Sequence, residues 1–171
     1  LRCEELIRKS DLDWVILRPS EVYGVNMEEG IGKLVTWMEK FSIIPVIGDG
    51  SYFLSPVSVN DVVQVMVEIL KDYSIKKETL NLCGPEKMTM NELINRLAQI
   101  QKVQIKKIFL PIWFVRVGIG VLSIFKSSLA FSDQIPRLLC KKDHSIDKTQ
   151  AVIPYNPIKI EEELSLSQSK N

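Results

Sequence analysis

"VILRPSEVYG", residues 15–24, decides how this chain folds. Trp14 to Leu17 form a continuous apolar run that breaks at Arg18-Pro19. An apolar run without alternation is the pattern of a strand covered on both faces in a parallel sheet. Proline cannot donate to a central ladder, so the strand stops at Pro19. The loop toward Tyr23-Gly24 leaves the carboxyl end of that strand, where open α/β sheets bind ligands.

A second run of this kind, "TLNLC" at 79–83, ends at Gly84-Pro85. Helical spacing is read between and around them: at 2–10, at 30–41 with Ile31, Leu34, Val35 and Met38, and at 61–72 behind Asn60 or Asp61 as cap. Gly48-Asp49-Gly50 marks a turn between short strands. "TMNE", Thr89 to Glu92, is a capping box that opens a helix to about Gln101, with Leu93, Ile94, Leu97 and Ile100 as its apolar stripe. A strand is expected at 103–110, helices at 112–126 and 131–140, and a last turn at Ile160–Leu164 before a frayed tail, 165–171. Strands alternating with helices indicate α/β with a parallel sheet. Two buried parallel strands do not make a stable doubly wound domain by themselves, so the rest of the sheet is expected elsewhere. The opening "LRCEELIRKS", already in helical rhythm and without an initiator Met, reads as part of a longer protein.

The chain has 171 residues and is 46% hydrophobic, enough for one core. Lys and Arg number 22 against 21 Asp and Glu, a balance that argues against a dedicated nucleic-acid surface. Cys3, Cys83 and Cys140 show no metal-ligand spacing, so reduced, buried thiols and a cytoplasmic compartment are expected. The apolar stretch 109–125 approaches membrane-spanning length, but Arg116 stands in its middle. It is read as a helix packed over an apolar cleft, with peripheral membrane contact left open.

Chemistry-bearing groups are scarce. His144 is the single histidine and has no nucleophile motif nearby. Glu4-Glu5, Glu28-Glu29 and Glu161–Glu163 read as solvated faces. Tyr23 and Tyr52 could donate to a ligand, although buried tyrosines usually find a structural partner. No GxGxxG and no P-loop is present. No catalytic residue and no metal ligand is assigned.

Taken together, "LDWVILRPSEVYG" (12–24), "PVIGDGSYFLSPVSVNDVV" (45–63), "TLNLCGPEKMTMNELI" (79–94) and "DHSIDKTQAVIPYNPIKIEEEL" (143–164) resemble the C-terminal half of the NAD-dependent epimerase/dehydratase family, the extended short-chain dehydrogenase/reductases. The resemblance implies an α/β fold: the C-terminal part of a Rossmann-type NAD(P)-binding domain with a small substrate-binding subdomain, the N-terminal half of the sheet missing. Residues 1–164 would be that portion. It implies NAD or NADP in the intact parent and a small-molecule substrate such as a nucleotide sugar. Pro19, Ser20 and Val22 would be cofactor-side contacts, with Arg18 and Tyr23 shaping the site and Asp61 mostly structural. Arg137 falls near a family arginine that contacts phosphate. Family members often dimerise through helices that include the one ending at residue 10. The stretch after Phe109-Leu110-Pro111 also resembles the sub-branch that includes the complex I accessory subunit.

Two departures bear on activity. Glu4 matches the glutamate that follows the family's Tyr-x-x-x-Lys pair, so the lysine would fall just before Leu1. The catalytic tyrosine and the glycine-rich phosphate loop would lie further upstream. Where sugar epimerases often place an arginine before the "V-x-V" strand, this chain has Leu54. The readings kept are therefore the substrate-side part of an epimerase/dehydratase-like enzyme, a non-catalytic cofactor-binding member, or a fragment without function.

Overall fold

The computed structural model describes residues 2–24, 30–111, 113 and 145–168. The helices expected at 112–126 and 131–140, with Arg116, Arg137, Cys140 and His144, lie outside the described residues. In chain order the elements are α1 (Arg2–Arg8), β1 (Val15–Pro19), β2 (Val22–Tyr23), α2 (Gly30–Lys40), β3 (Ile43–Ile47), β4 (Phe53–Leu54) and β5 (Val57–Ser58). There follow α3 (Val59–Lys71), β6 (Glu78–Leu82), β7 (Met88–Thr89), α4 (Met90–Gln101), β8 (Lys106–Leu110), α5 (Asp147–Val152) and α6 (Ile160–Gln168). The chain forms two compact units.

The first unit takes Leu1–Gly32, Ser55–Lys87 and Asp143–Asn171. Its centre is the parallel pair β1–β6, in register from Val15↔Glu78 to Pro19↔Leu82. Val15, Leu17, Leu80 and Leu82 point to one face. There they pack with Val57, Val62, Val65, Ile153 and Tyr155. The opposite face is met by α1, whose Arg8 Nη2 donates to Thr79 Oγ1 at 3.0 Å. The outer edge of β6 is closed by α5: Thr149 Oγ1 donates to Asn81 O at 2.7 Å. Lys148 pairs with Glu78 at 2.7 Å.

β1 departs from expectation. It is half-buried rather than covered on both faces. Trp14 O and Ser20 N bond toward β6. In a parallel pair the alternate residues Val15, Leu17 and Pro19 then turn their main-chain groups the other way. Among the described residues no strand pairs with that second edge. The apolar run thus has the composition of an interior strand while holding an edge position.

The second unit takes Lys33–Leu54 and Met88–Lys142. β3 and β8 pair in parallel from Ile43↔Lys106 to Ile47↔Leu110, and β4 and β7 pair antiparallel. Ile44, Val46, Leu93, Ile94 and Leu97 are buried here. The strands flanking Gly48-Asp49-Gly50 exist, yet neither pairs with the other across that turn. Asp49 Oδ1 instead accepts from Ser51 N at 3.0 Å. The turn is clamped onto α4, where Asn91 Nδ2 donates to Asp49 O at 2.7 Å. Gly50 has φ +69 and would set a Cβ 2.8 Å from Asn91 Nδ2, which accounts for glycine there.

The helix caps were partly readable. Thr89 and Glu92 form the expected capping box. Thr89→Ala is expected to cost about 1 kcal/mol, read as a lower urea midpoint with an unchanged slope. The cap of α3 is Ser58, whose side chain accepts from Asn60 N, and not Asn60 or Asp61. Ser58 lies two residues before Asn60, because α3 begins at Val59. At the far end, α6 continues to Gln168, beyond the single turn expected.

Candidate functional site

In the first unit, β1 and β6 end level with each other, and two loops leave their carboxyl ends. One is Ser20-Glu21, the other Cys83-Gly84-Pro85. Backbone hydrogen bonds hold both. Ser20 N donates to Leu82 O at 2.8 Å, Val57 N to Glu21 O at 3.0 Å, and Gly84 N to Ser55 O at 3.1 Å. These bonds also deliver the chain into the parallel pair β2–β5, Val22↔Val57 and Tyr23↔Ser58. Gly84 is set so closely that a Cβ there would stand 1.7 Å from Pro56 O. Tyr155, from the segment before α6, donates its hydroxyl to Cys83 O at 2.9 Å.

The sequence-assigned residues fall differently around this edge. Pro19 is exposed and Ser20 half-buried. The Ser20 hydroxyl donates to Glu21 Oε2 at 2.6 Å. Val22 packs its side chain against the apolar cluster. Arg18 forms a bidentate pair with Glu4, Nε to Oε1 at 3.1 Å. That hydrogen bond holds the Glu4 carboxyl below its ordinary range. Arg137 lies outside the described residues.

Tyr23 is 1% exposed, and among the described residues its hydroxyl has no hydrogen-bond partner. Burial raises its pKa, and the charges of Asp61 and of Glu163 add to the effect. Both acids belong to a polar nest that holds the C-terminal segment. Asp61 Oδ2 accepts from Ile158 N at 3.1 Å, and Glu163 Oε1 from Asn60 Nδ2 at 2.6 Å. Glu163 is 5% exposed, which corrects its reading as part of a solvated face. Ile160 and Glu163 are three apart on α6, so both turn inward on one side of the helix.

Burial raises the Asp61 carboxyl above its ordinary value, the Ile158 N–H opposing and Glu163 adding to the rise. A carboxyl raised on folding favours the folded state below its unfolded value, and the contribution is lost as pH rises through the folded value. Asp61→Asn keeps an acceptor for Ile158 N and removes the buried charge. We expect it to raise stability at neutral pH, by on the order of 1 kcal/mol, and to change little below the carboxylate range. Paired urea titrations at the two pH values check this.

Several residues of this edge had weak or no sequence signals. Thr149 and Tyr155 look like ordinary tail residues until the tail is seen closing the outer side of β6. Gly84-Pro85 signalled only a turn. Cys83 is buried as expected, while Cys3 is exposed. Among the described residues no group of His, Cys, Asp and Glu could hold a metal ion. No described helix is long and apolar enough to cross a membrane.

Solved structures that share this architecture include NAD-dependent nucleotide-sugar epimerases and dehydratases. UDP-glucuronic acid 4-epimerase from Bacillus cereus, crystallised with NAD and UDP-4-deoxy-4-fluoro-glucuronic acid, is 19% identical at a TM-score of 0.68, over 95% of this chain and 46% of its own. DesIV, a dTDP-glucose 4,6-dehydratase from Streptomyces venezuelae crystallised with NAD, is 17% identical at 0.64, over 94% of this chain and 44% of its own. MoeE5 in complex with UDP-glucose and NAD is 15% identical at 0.68, over 96% of this chain and 50% of its own. The chain therefore shares the fold of the part of these Rossmann-type neighbours that it matches, and spans about half their length. No family model and no curated protein matches it.

All three neighbours hold NAD. At the carboxyl end of β1, Pro19 presents an exposed apolar ring beside the Ser20 hydroxyl, which Glu21 engages. The sequence holds no GxGxxG, the fingerprint that cradles a dinucleotide pyrophosphate at a helix N-terminus.

Proposed function

We propose that this chain is the substrate-side, C-terminal portion of an NAD(P)-dependent nucleotide-sugar epimerase/dehydratase-like protein acting in the cytoplasm. The observation that carries the reading is the β1–β6 edge: an apolar parallel pair closed at β6 and open at β1, with two hydrogen-bonded loops at its carboxyl end. In this account Pro19 and Ser20 border the nicotinamide, Val22 sets the loop from the core side, and Tyr23 shapes the wall behind it. Arg137 is assigned to substrate phosphate, where a guanidinium makes bidentate contacts. The Tyr-x-x-x-Lys pair and the phosphate loop would be supplied by a segment preceding this sequence, and the intact protein would pair as a homodimer. Without that pair there is no proton relay at the sugar carbon. The purified chain, incubated with NAD and UDP-glucose or UDP-glucuronic acid, is expected to form no epimer and to reduce no cofactor. Turnover by the chain alone would overturn the assignment.

A second reading, a cofactor-binding member without catalysis, is favoured by Leu54. This residue is 2% exposed in β4, so an apolar side chain is buried where sugar epimerases often carry a phosphate-binding arginine. A preceding segment with a glycine-rich loop but no Tyr-x-x-x-Lys would support this second reading.

A further inference from the structure

The near-neutral total charge conceals a division. Among the described residues, the second unit holds 6 Lys and Arg against 3 Asp and Glu, while the first holds 10 against 14. The basic unit also carries an exposed apolar surface. Ile43 is 49% exposed, Ile108 43% and Phe41 52%. The β3–β8 register pairs Ile43 with Lys106 and Pro45 with Ile108, so these four side chains share one face of the pair. Ile44 and Val46 turn to the other, buried face. Trp37 joins the exposed face: its Nε1 donates to Ile43 O at 3.0 Å, and its ring lies 4.9 Å from that of Phe41. Lys40 and Lys106 are exposed beside these residues.

We propose that this face of the second unit docks peripherally on an anionic lipid surface. Aromatic and aliphatic side chains ringed by lysine match the interfacial zone of a bilayer, where rings sit at headgroup level and ammonium groups meet lipid phosphates and carboxylates. Lys40 and Lys106 supply the complementary charge. The docking is independent of the enzymatic reading, since it uses neither the β1–β6 edge nor any cofactor.

The test is co-sedimentation of the full chain with phosphatidylcholine vesicles, with and without phosphatidylserine. Binding is expected to require phosphatidylserine and to fall with added salt. Lys40→Gln and Lys106→Gln are each expected to lower the partition coefficient about fivefold. Phe41→Ser removes an exposed ring and is expected to lower it further with an unchanged far-ultraviolet circular dichroism spectrum. Should Phe41→Ser perturb the fold, the two lysine variants still decide the matter. Absence of binding, equal binding to both vesicle types, or lysine variants that bind like the native chain would each overturn the proposal. So would a DNA duplex that displaces the chain from the vesicles at equal phosphate concentration, which would reassign the basic face to nucleic acid.

Discussion

Gly84→Ala is expected to unfold the first unit or leave it on the verge of unfolding. A methyl group at residue 84 would stand 1.7 Å from Pro56 O, far inside any van der Waals contact, and its neighbour there is backbone. Relief requires the 55–57 segment to move away from the end of β6. That movement breaks the Gly84 N to Ser55 O hydrogen bond and disturbs the β2–β5 pair. The expected cost is about 4 kcal/mol or more, in the range that only a few mechanisms reach. A domain of this size has a total stability of roughly 5–15 kcal/mol. Urea titration followed by circular dichroism reads the result, and an unchanged midpoint would contradict the close approach.

Leu82→Ala is expected to cost about 2–5 kcal/mol. Leu82 is 0% exposed and packs with Leu80, Val57, Val62, Val65, Ile153 and Tyr155. Truncation removes transfer free energy and leaves a cavity that the flanking strands cannot fully close. The same residue's carbonyl accepts from Ser20 N, so repacking around it shifts the loop assigned to the cofactor edge. The variant therefore separates two effects: stability read by urea, and loop geometry read by the Ser20 amide in a nitrogen-proton NMR spectrum. A shift at Ser20 with a midpoint lowered by the stated amount is the expected pair of results.

Much of the fold was legible because local chemistry and tertiary structure agreed. The runs 14–17 and 79–83 became β1 and β6, and the Thr89–Glu92 box opened α4 as read. Agreement failed where a residue's role depends on a distant partner. The apolar run of β1 promised a strand covered on both faces, but the described chain supplies a neighbour on one edge only. Glu163 looked solvated because its partner, Asn60, is 103 residues away. Gly84 looked like punctuation because the backbone it must clear belongs to Pro56. The polar side of Tyr23 was equally hidden: alternation along β2 reveals that it faces away from Val22, but not that its hydroxyl lies buried near Asp61.

The site was less legible than the fold for a physical reason. A cofactor edge on an α/β sheet is built largely from main-chain groups at strand ends, and these carry little sequence signature. Pro19 and Ser20 were proposed from strand termination and resemblance. The closing residues Thr149 and Tyr155 were not reached at all, since a hydroxyl bonding a strand carbonyl leaves no pattern along the chain.

As proposed, β1 is an interior strand of a larger cofactor-binding sheet whose substrate side this chain carries. Reading the native locus upstream of the codon for Leu1, in all three frames, tests it most directly. The expected result is a continuous coding segment with a glycine-rich strand-to-helix turn and a Tyr-x-x-x-Lys whose lysine falls immediately before Leu1. An initiation codon adjoining Leu1, with no such segment in any frame, would contradict it.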